Sequence, residues 1–575
     1  MQKINGIRRL IAAVALAVCM PLMVVAQDSD LRPVSKKYAI KNATIVQAPG
    51  RVIPNGTILF ENGVIKAVGT NVTIPADAWV INADSMFVYA GFISGMSNIG
   101  VPKPKDERER PDPKLRANPP YKLAGITPEA SVTDMLAHDD KSIEEFRQLG
   151  FTAAHTVGHN GMMPGKSAII LLSGSNAPAM VVKKDYAQYG QLAGAGGVYP
   201  STVIGVMAKY RDMYQKAKYA MEYESHYRAG SNGMERPVAD LTLEALYPVV
   251  NKQQSVAFKS ENVLDIVRVL TLKNELGFNL MLGEVKQGWD VANDIKASGA
   301  SVFLSLDLPE MKEEKKEEPK KEGDAKPEEK KEEKPKEKTA ADLEKEALEQ
   351  RQKEMIAKYY SQPSVLTSKG IKYGFSTLNA KTKDFKTVLN NMIKNGSTED
   401  QLLAALTTQP ADLLGLSATM GTLDNGKMAN MVITDKSYFD EKSNVRYVVV
   451  DGKLFEFEVK EKKKAKTDGE AVSPLGKWNY SFESPQGPGQ GVITITGTEG
   501  NYTGTMTLSF NESTNDLKNV EMDGNTFSFS IETDAGGQMI TLEVTMTIDG
   551  DSFEGTLTAG AFGSFPLEGS KTPEK

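Results

Sequence analysis

The chain has 575 residues, a formal net charge of −6, 40% hydrophobic residues and 7% aromatics. That length allows a few domains with ample core, and the slightly acidic balance excludes the overall basic character typical of a duplex-binding protein. Cys19 is the one cysteine, so the chain beyond its N-terminal segment has no disulfide, zinc–thiolate site or thiol nucleophile.

The first element is a targeting segment. Arg8 and Arg9 precede an apolar run from Leu10 to Ala26, and Val24-Val25-Ala26 before Gln27 suits signal-peptidase cleavage. Residues 1–26 read as a signal peptide, which implies export to the periplasm or cell envelope. At about 17 residues the run is at the short limit for a membrane anchor. A lipid anchor on Cys19 is a third reading, weakened by the bulky Val18 before it. No later segment is long and apolar enough to span a bilayer.

Residues 27–90 hold short β-like runs such as "GTILFENGVIKAVG", with Glu61-Asn62-Gly63 as a hairpin turn. From residue 91 the texture changes. "SIEEFRQLG" precedes "FTAAHTVG", "ENVLDIVRVLTLKNELG" precedes "FNLMLG", and "GWDVANDIKASG" precedes "ASVFLSLDLP". Each helical piece ends in Gly, a C-cap signal. Each following strand is short and apolar, as strands buried on both faces are. The alternation predicts βα units and a parallel sheet, open or closed into a barrel, over residues 91–416.

Within that region residues 312–338 are almost entirely Lys, Glu and Pro. Such a segment cannot bury enough surface to offset its ordering entropy and reads as a disordered surface insertion. The helical stretch after it leads back to the domain, where Tyr359 and Tyr360 could dock. Residues 417–458 return to β, with "YVVVDGKLFEFE" as strand, turn and strand, and residues 459–473 read as a linker. Residues 474–575 alternate with period two between DG and EG turns, predicting an antiparallel meander that closes as a small barrel. There Tyr480, Phe482, Phe527 and Phe529 read as core.

The segment "LLAALTTQPADLLGLSATMGTLDNGKMANMVITDK" resembles the closing motif of the amidohydrolase superfamily, especially its imidazolonepropionase-like and dihydroorotase-like branches. The matching positions are Thr407, Pro410, Ala411, Leu414, Gly415, Gly421, Leu423, Gly426, Lys427, Ala429 and Val432. Their physical roles are legible: Pro410 and Ala411 start a helix, Gly415 ends it, and Gly421 and Gly426 turn the chain back. "NATIVQAPGRVIPNGTILFENGVIKAVG" is similar to the family's opening β segment, and "YAGFIS" to its entry into the first barrel strand. The resemblance implies a (β/α)8 TIM barrel flanked by a β-sandwich built from both ends of the region. It further implies zinc or another divalent metal at the barrel mouth and hydrolysis of non-peptide carbon–nitrogen bonds in cyclic amides or related small molecules. The last β domain resembles lipocalin-like modules attached to exported amidohydrolases.

The family's metal ligands are an H-x-H after the first strand, histidines after two middle strands and an Asp after the last. Aligned to that pattern, the resemblance puts Met96 and Asn98, Lys259, Glu284 and Leu378 at those positions. A thioether, an ammonium group and a leucine do not suit a hard divalent ion, so no cofactor is expected from the residues present. Lys259 and Glu284 could pair across the mouth in the metal's place, or stand as two exposed side chains. His155 and His159, in "FTAAHTVGHNG", are either a polar pair facing the mouth or two separately bonded histidines. Asp307 is a further polar candidate. Two functions remain: a carbon–nitrogen hydrolase with unconventional metal binding, or a metal-free relative that binds a small molecule or a partner in the envelope.

Overall fold

The computed structural model describes residues 36–104, 112–174, 176–194, 196–231, 233–311, 340–457, 473–484, 487–498, 501–509, 513–534, 539–559 and 563–572. The expected signal peptide with Cys19, the insertion at 312–338 and nearly all of the expected linker lie outside the described residues. The chain divides into two compact units, Met1–Val459 and Lys460–Lys575.

The first unit opens with β1 (Lys37–Ala48), β2 (Arg51–Glu61), β3 (Val64–Gly69), β4 (Trp79–Asn82) and β5 (Phe87–Ala90). β1 pairs antiparallel with β2 along one edge. Its other edge is divided, parallel in both parts, between β4 and β5.

The barrel follows. Its strands are β6 (Phe92–Ser97), β7 (Phe151–Thr156), β8 (Gly165–Lys166), β9 (Ala168–Leu171), β10 (Val181–Lys183), β11 (Ala187–Gln191), β12 (Ser255–Lys259), β13 (Leu280–Val285), β14 (Ser301–Ser305) and β15 (Tyr373–Ser376). Seven of them run parallel in the order β7, β6, β15, β14, β13, β12, β11. The eighth stave departs from a (β/α)8 pattern. β8 and β9, separated by Ser167 alone, form one antiparallel stretch that pairs with β11 on one side and β7 on the other. Ser167 donates its N–H to Ala187 and accepts that of Tyr186, so the ring closes through it.

Helix Val263–Leu276 is capped at its start by the Asn262 side chain, which accepts the Asp265 N–H, and at its end by Gly277 in the left-handed region. Helix Ala292–Ser298 ends likewise on Gly299. The strands that follow them, Leu-Met-Leu-Gly-Glu-Val and Ser-Val-Phe-Leu-Ser, are almost wholly buried, as a sheet covered on both faces requires.

Past the barrel, β16 (Met431–Thr434), β17 (Val445–Val450) and β18 (Lys453–Glu456) join the first sheet through β16 and β5. Both ends of the unit thus share one sheet, over a core that includes Ile40, Ile58, Phe60, Val88, Met431 and Val449. The closing segment is built as its residues dictate, with one shift. Helix Glu399–Leu406 begins in a capping box between Thr398 and Gln401. The next helix begins at Thr408, so Pro410 is its third residue rather than its start. Gly421 has φ +93°, and a Cβ there would lie 2.6 Å from that of Ala411.

The second unit is all antiparallel: β19 (Gly476–Ser484), β20 (Gly487–Thr498), β21 (Asn501–Leu508), β22 (Ser513–Asp516), β23 (Lys518–Asp523), β24 (Thr526–Asp534), β25 (Met539–Asp549), β26 (Ser552–Thr558) and β27 (Ser564–Lys571). Neighbours run in the order β22, β21, β20, β19, β27, β26, β25, β24, β23. Ser513 of β22 meets Thr533 of β24 at 3.3 Å, so the two ends nearly close a barrel. Tyr480, Phe527 and Phe529 are buried in its core beside Trp478, and Phe482 packs half-buried against them.

Candidate site at the barrel mouth

The carboxyl ends of parallel barrel strands gather side chains from several staves at one face. Here the feature that shapes this face is a bulge in β13. Leu282 pairs with Val302 and Val285 with Leu304, so β13 carries one residue more than β14 between those pairs. Glu284 sits in the extra turn at φ +59°, a region β-strands avoid. The bulge aims its side chain at the ends of the two following strands.

Glu284 is fully buried. Ser305 at the end of β14 donates to Oε1 at 2.6 Å, and Ser376 at the end of β15 donates to Oε2 at 2.5 Å. Each serine accepts a backbone N–H from two residues on, Asp307 at 3.0 Å and Leu378 at 3.3 Å. Among the described residues no cation touches the carboxyl. Burial pushes it above the usual carboxylate range, and the two serines and the charges of Lys286 and Lys259 only partly oppose that.

Met96, on β6, is fully buried and lies against β13. A Cβ at Gly283 would run into its Sδ and Cε, so the thioether fills that space and only glycine fits opposite it. Asn98 gives its amide hydrogens to the carbonyls of Val157 at 2.7 Å and Gly158 at 3.1 Å, tying the exit of β6 to that of β7. Leu378 is half-buried against the barrel core.

Lys259 does not pair with Glu284. Its ammonium group lies 3.4 Å from Glu261, because Glu261 is two residues on and Glu284 is enclosed by serines. Glu261 also meets Lys286 at 3.7 Å and accepts from Asn379 at 3.1 Å, and Lys286 binds Asp307 at 2.6 Å. The rim is thus a chain of paired charges running from the end of β12 to beyond β14, with the Asn379 amide joining it from beyond β15. At Lys286 burial lowers the pKa, but Asp307 and Glu261 outweigh it and hold the ammonium group charged.

The two histidines are not a pair. Nδ1 of His155 lies 2.8 Å from the Gly95 carbonyl, which can only accept, so Nδ1 carries the proton and Nε2 accepts from Ser167 at 2.7 Å. Burial pushes its pKa down to about 4. His159 lies half-buried in the loop beyond and spends Nε2 on the Val101 carbonyl at 2.8 Å.

Sequence reasoning missed Glu261, Lys286 and Ser305. Ser305-Leu306-Asp307 and Ser376-Thr377-Leu378 repeat one arrangement, a strand-ending serine that accepts the N–H two residues on. That repeat is visible in the sequence only once the strand ends are known.

A barrel entered from one sheet and closed back into it is the architecture of the amidohydrolases, and the comparisons agree. A model of the amidohydrolase family matches residues 361–455. The structure of an amidohydrolase from Thermotoga maritima MSB8 is 20% identical, with a TM-score of 0.58, covering 73% of this chain and 100% of that one. A Xaa-Pro dipeptidase with bound methionine is 13% identical over 73% of this chain and 100% of its own, at a TM-score of 0.42, too slight an overlap to carry further argument. No curated protein sequence matches. The family model thus matches the closing segment, and the Thermotoga structure shares the fold.

The divalent metal that this family implies does not fit the residues present. A catalytic cation needs several nitrogen or oxygen donors with free lone pairs converging on one point. Here Met96 offers a thioether, Lys259 an ammonium group and Leu378 no donor, while His155, His159, Asn98 and Glu284 are already engaged. Among the described residues no three of His, Cys, Asp and Glu cluster as a metal site would require.

Proposed function

We propose that this chain is a metal-independent member of its superfamily, one that binds a small molecule or a partner and does not hydrolyse carbon–nitrogen bonds. One observation carries the reading. The Met96 thioether packed on Gly283, beside the Glu284 carboxyl held by Ser305 and Ser376, takes the interior space that metal and attacking water would need. Among the described residues, the side chains named at the mouth are packed, bonded or ion-paired, which leaves none of them to polarise a water. The rim from Lys259 to Asp307 supplies the charged surface that a ligand would meet.

The test is turnover. Purified full-length protein, supplied with zinc or manganese, is assayed on lactams, hydantoins and acyl-amino acids. The expected result is no hydrolysis above the buffer rate with any metal. Metal-dependent turnover would restore the second reading, a hydrolase of non-peptide carbon–nitrogen bonds, which the family match over residues 361–455 favours.

The protein acts in the periplasm or cell envelope on this reading, because Arg8, Arg9 and the run to Ala26 form an export signal. N-terminal sequencing of the envelope fraction should begin at Gln27. A chain still carrying Met1, or one beginning at an acylated Cys19, would replace that with an anchored form.

A further inference from the structure

At the end of the barrel away from the mouth, a positive charge is buried without an opposite one. Arg147, in the helix Lys141–Gln148, is 8% exposed. Its Nε donates to the Leu172 carbonyl at 2.8 Å, and Leu172 gives its N–H to Thr152 near the start of β7. The guanidinium lies on the Phe455 ring of β18, 3.8 Å from the ring centre. Among the described residues no carboxylate forms an ion pair with it, and Glu144, one turn earlier in the helix, attracts it only from a distance. Burial pushes its pKa down.

The guanidinium holds two of its three nitrogens in reserve. Nε is spent, while Nη1 and Nη2 have no partner among the described residues and are not sealed from the surface. Solvent can meet their N–H groups, but a charge this deeply buried also calls for an opposite charge. The loop after β9 leaves room for one. Gly174 stands at φ +62°, and a Cβ there would lie 3.0 Å from Nη2, so a side chain at this position would crowd the space. Lys453, at the start of β18, brings a second positive charge. Its Nζ donates to the Ser173 carbonyl at 3.3 Å and lies 5.0 Å from the centre of the same Phe455 ring.

We propose that Arg147, Lys453 and the loop Leu172–Gly174 form an anion site whose ligand presents two oxygens side by side, a carboxylate or a phosphate group. Nη1 and Nη2 make a planar fork that two such oxygens fit end-on. Phe455 covers one face of the fork and fixes its plane, so the ligand meets the outer edge. A metal cation is repelled by both charges. A halide carries the right charge but lacks the two-point fit. The site lies at the start of β7, opposite the mouth, and does not rest on how the mouth is read.

The experiment is a melting titration of the full chain with sodium phosphate and, separately, with sodium acetate, at fixed pH and with sodium chloride holding the ionic strength constant. The expected result is a saturable rise in melting temperature with at least one of them, and the anion that saturates identifies the group. Phosphate also stabilises proteins generally by exclusion from their surfaces, so two variants decide. Arg147→Lys keeps a charge and loses the fork. The concentration at half-response should rise about tenfold or more, the loss of one charged hydrogen bond. Lys453→Gln, on an exposed residue, should shift it the same way by less, and it decides the matter where Arg147→Lys does not fold. No saturation in the parent protein, or an equal response in the parent and the folded variants, overturns the proposal.

Discussion

The closing segment from Thr407 to Thr434 and the barrel mouth belong to one domain, yet different things hold each in place. In the closing segment the backbone decides. Gly421 must adopt a positive φ with no room for a Cβ, and Gly426, Lys427 and Ala429 bond to Ile65 and Gly63 of the opposite β arm. At the mouth the side chains decide. Met96, Glu284, Ser305 and Ser376 pack and bond to one another where a metallohydrolase would keep donors free. The fold's frame and its chemistry are therefore separable. A chain can satisfy the turns and caps that close the barrel while filling the site that the barrel usually serves.

Four perturbations would sharpen or break that contrast, taken from the largest effect to the smallest. Met96→Ala should destabilise the first unit by about 2–5 kcal/mol, the usual loss for truncating a fully buried methionine, read as a drop in denaturation midpoint. A change within error would mean that the thioether is not a packing element. Second, His155 is neutral when folded, with its pKa lowered from 6.5 to about 4. The unfolded chain takes up a proton first as the pH falls, so the stability this provides is complete above pH 6.5 and lost down to about pH 4. The loss is on the order of 3 kcal/mol. His155→Gln should show a shallower acid limb in a melting series, and an equally steep limb would deny the histidine that role.

Third, the pKa of Glu284 is raised by burial, so the sign reverses. The unfolded carboxyl ionises from about pH 4.5 upward while the folded one stays neutral longer. The group's contribution is most favourable below that pH and declines as the pH climbs toward the folded value. Glu284→Gln keeps the shape and removes the ionisation, so the variant should gain on the parent protein steadily as the pH rises from 4.5. A constant difference would mean that the buried carboxyl does not titrate differently on folding. Fourth, Lys286→Ala breaks a partly exposed ion pair with Asp307 and should cost under about 1 kcal/mol. A larger loss in a melting experiment would make the rim structural rather than a surface open to ligand.

Much of the frame is legible in the residues. Strand–helix alternation, the caps on Gly277 and Gly299, and the turn glycines after Leu414 each carry a backbone requirement that sequence displays directly. Alignment to a motif singles out Met96, Asn98, Lys259, Glu284 and Leu378, but not what each of them touches. The antiparallel stave is not legible. Its apolar part, Ala168 to Leu171, is a short run, and such runs say nothing of strand direction. The bulge is hidden for a related reason: a glutamate gives no sign that it will adopt φ +59°. Without the bulge, Lys259 looks like its natural partner, when Ser305 and Ser376 are.

The most direct test of the central claim is the metal content of the native protein, purified from cells grown with zinc, nickel, iron and manganese and measured by plasma mass spectrometry. The account predicts far less than one equivalent of any divalent ion and no rise in melting temperature on adding zinc. A stoichiometric ion that stabilises the first unit and is released when Glu284 or His155 is substituted would contradict it.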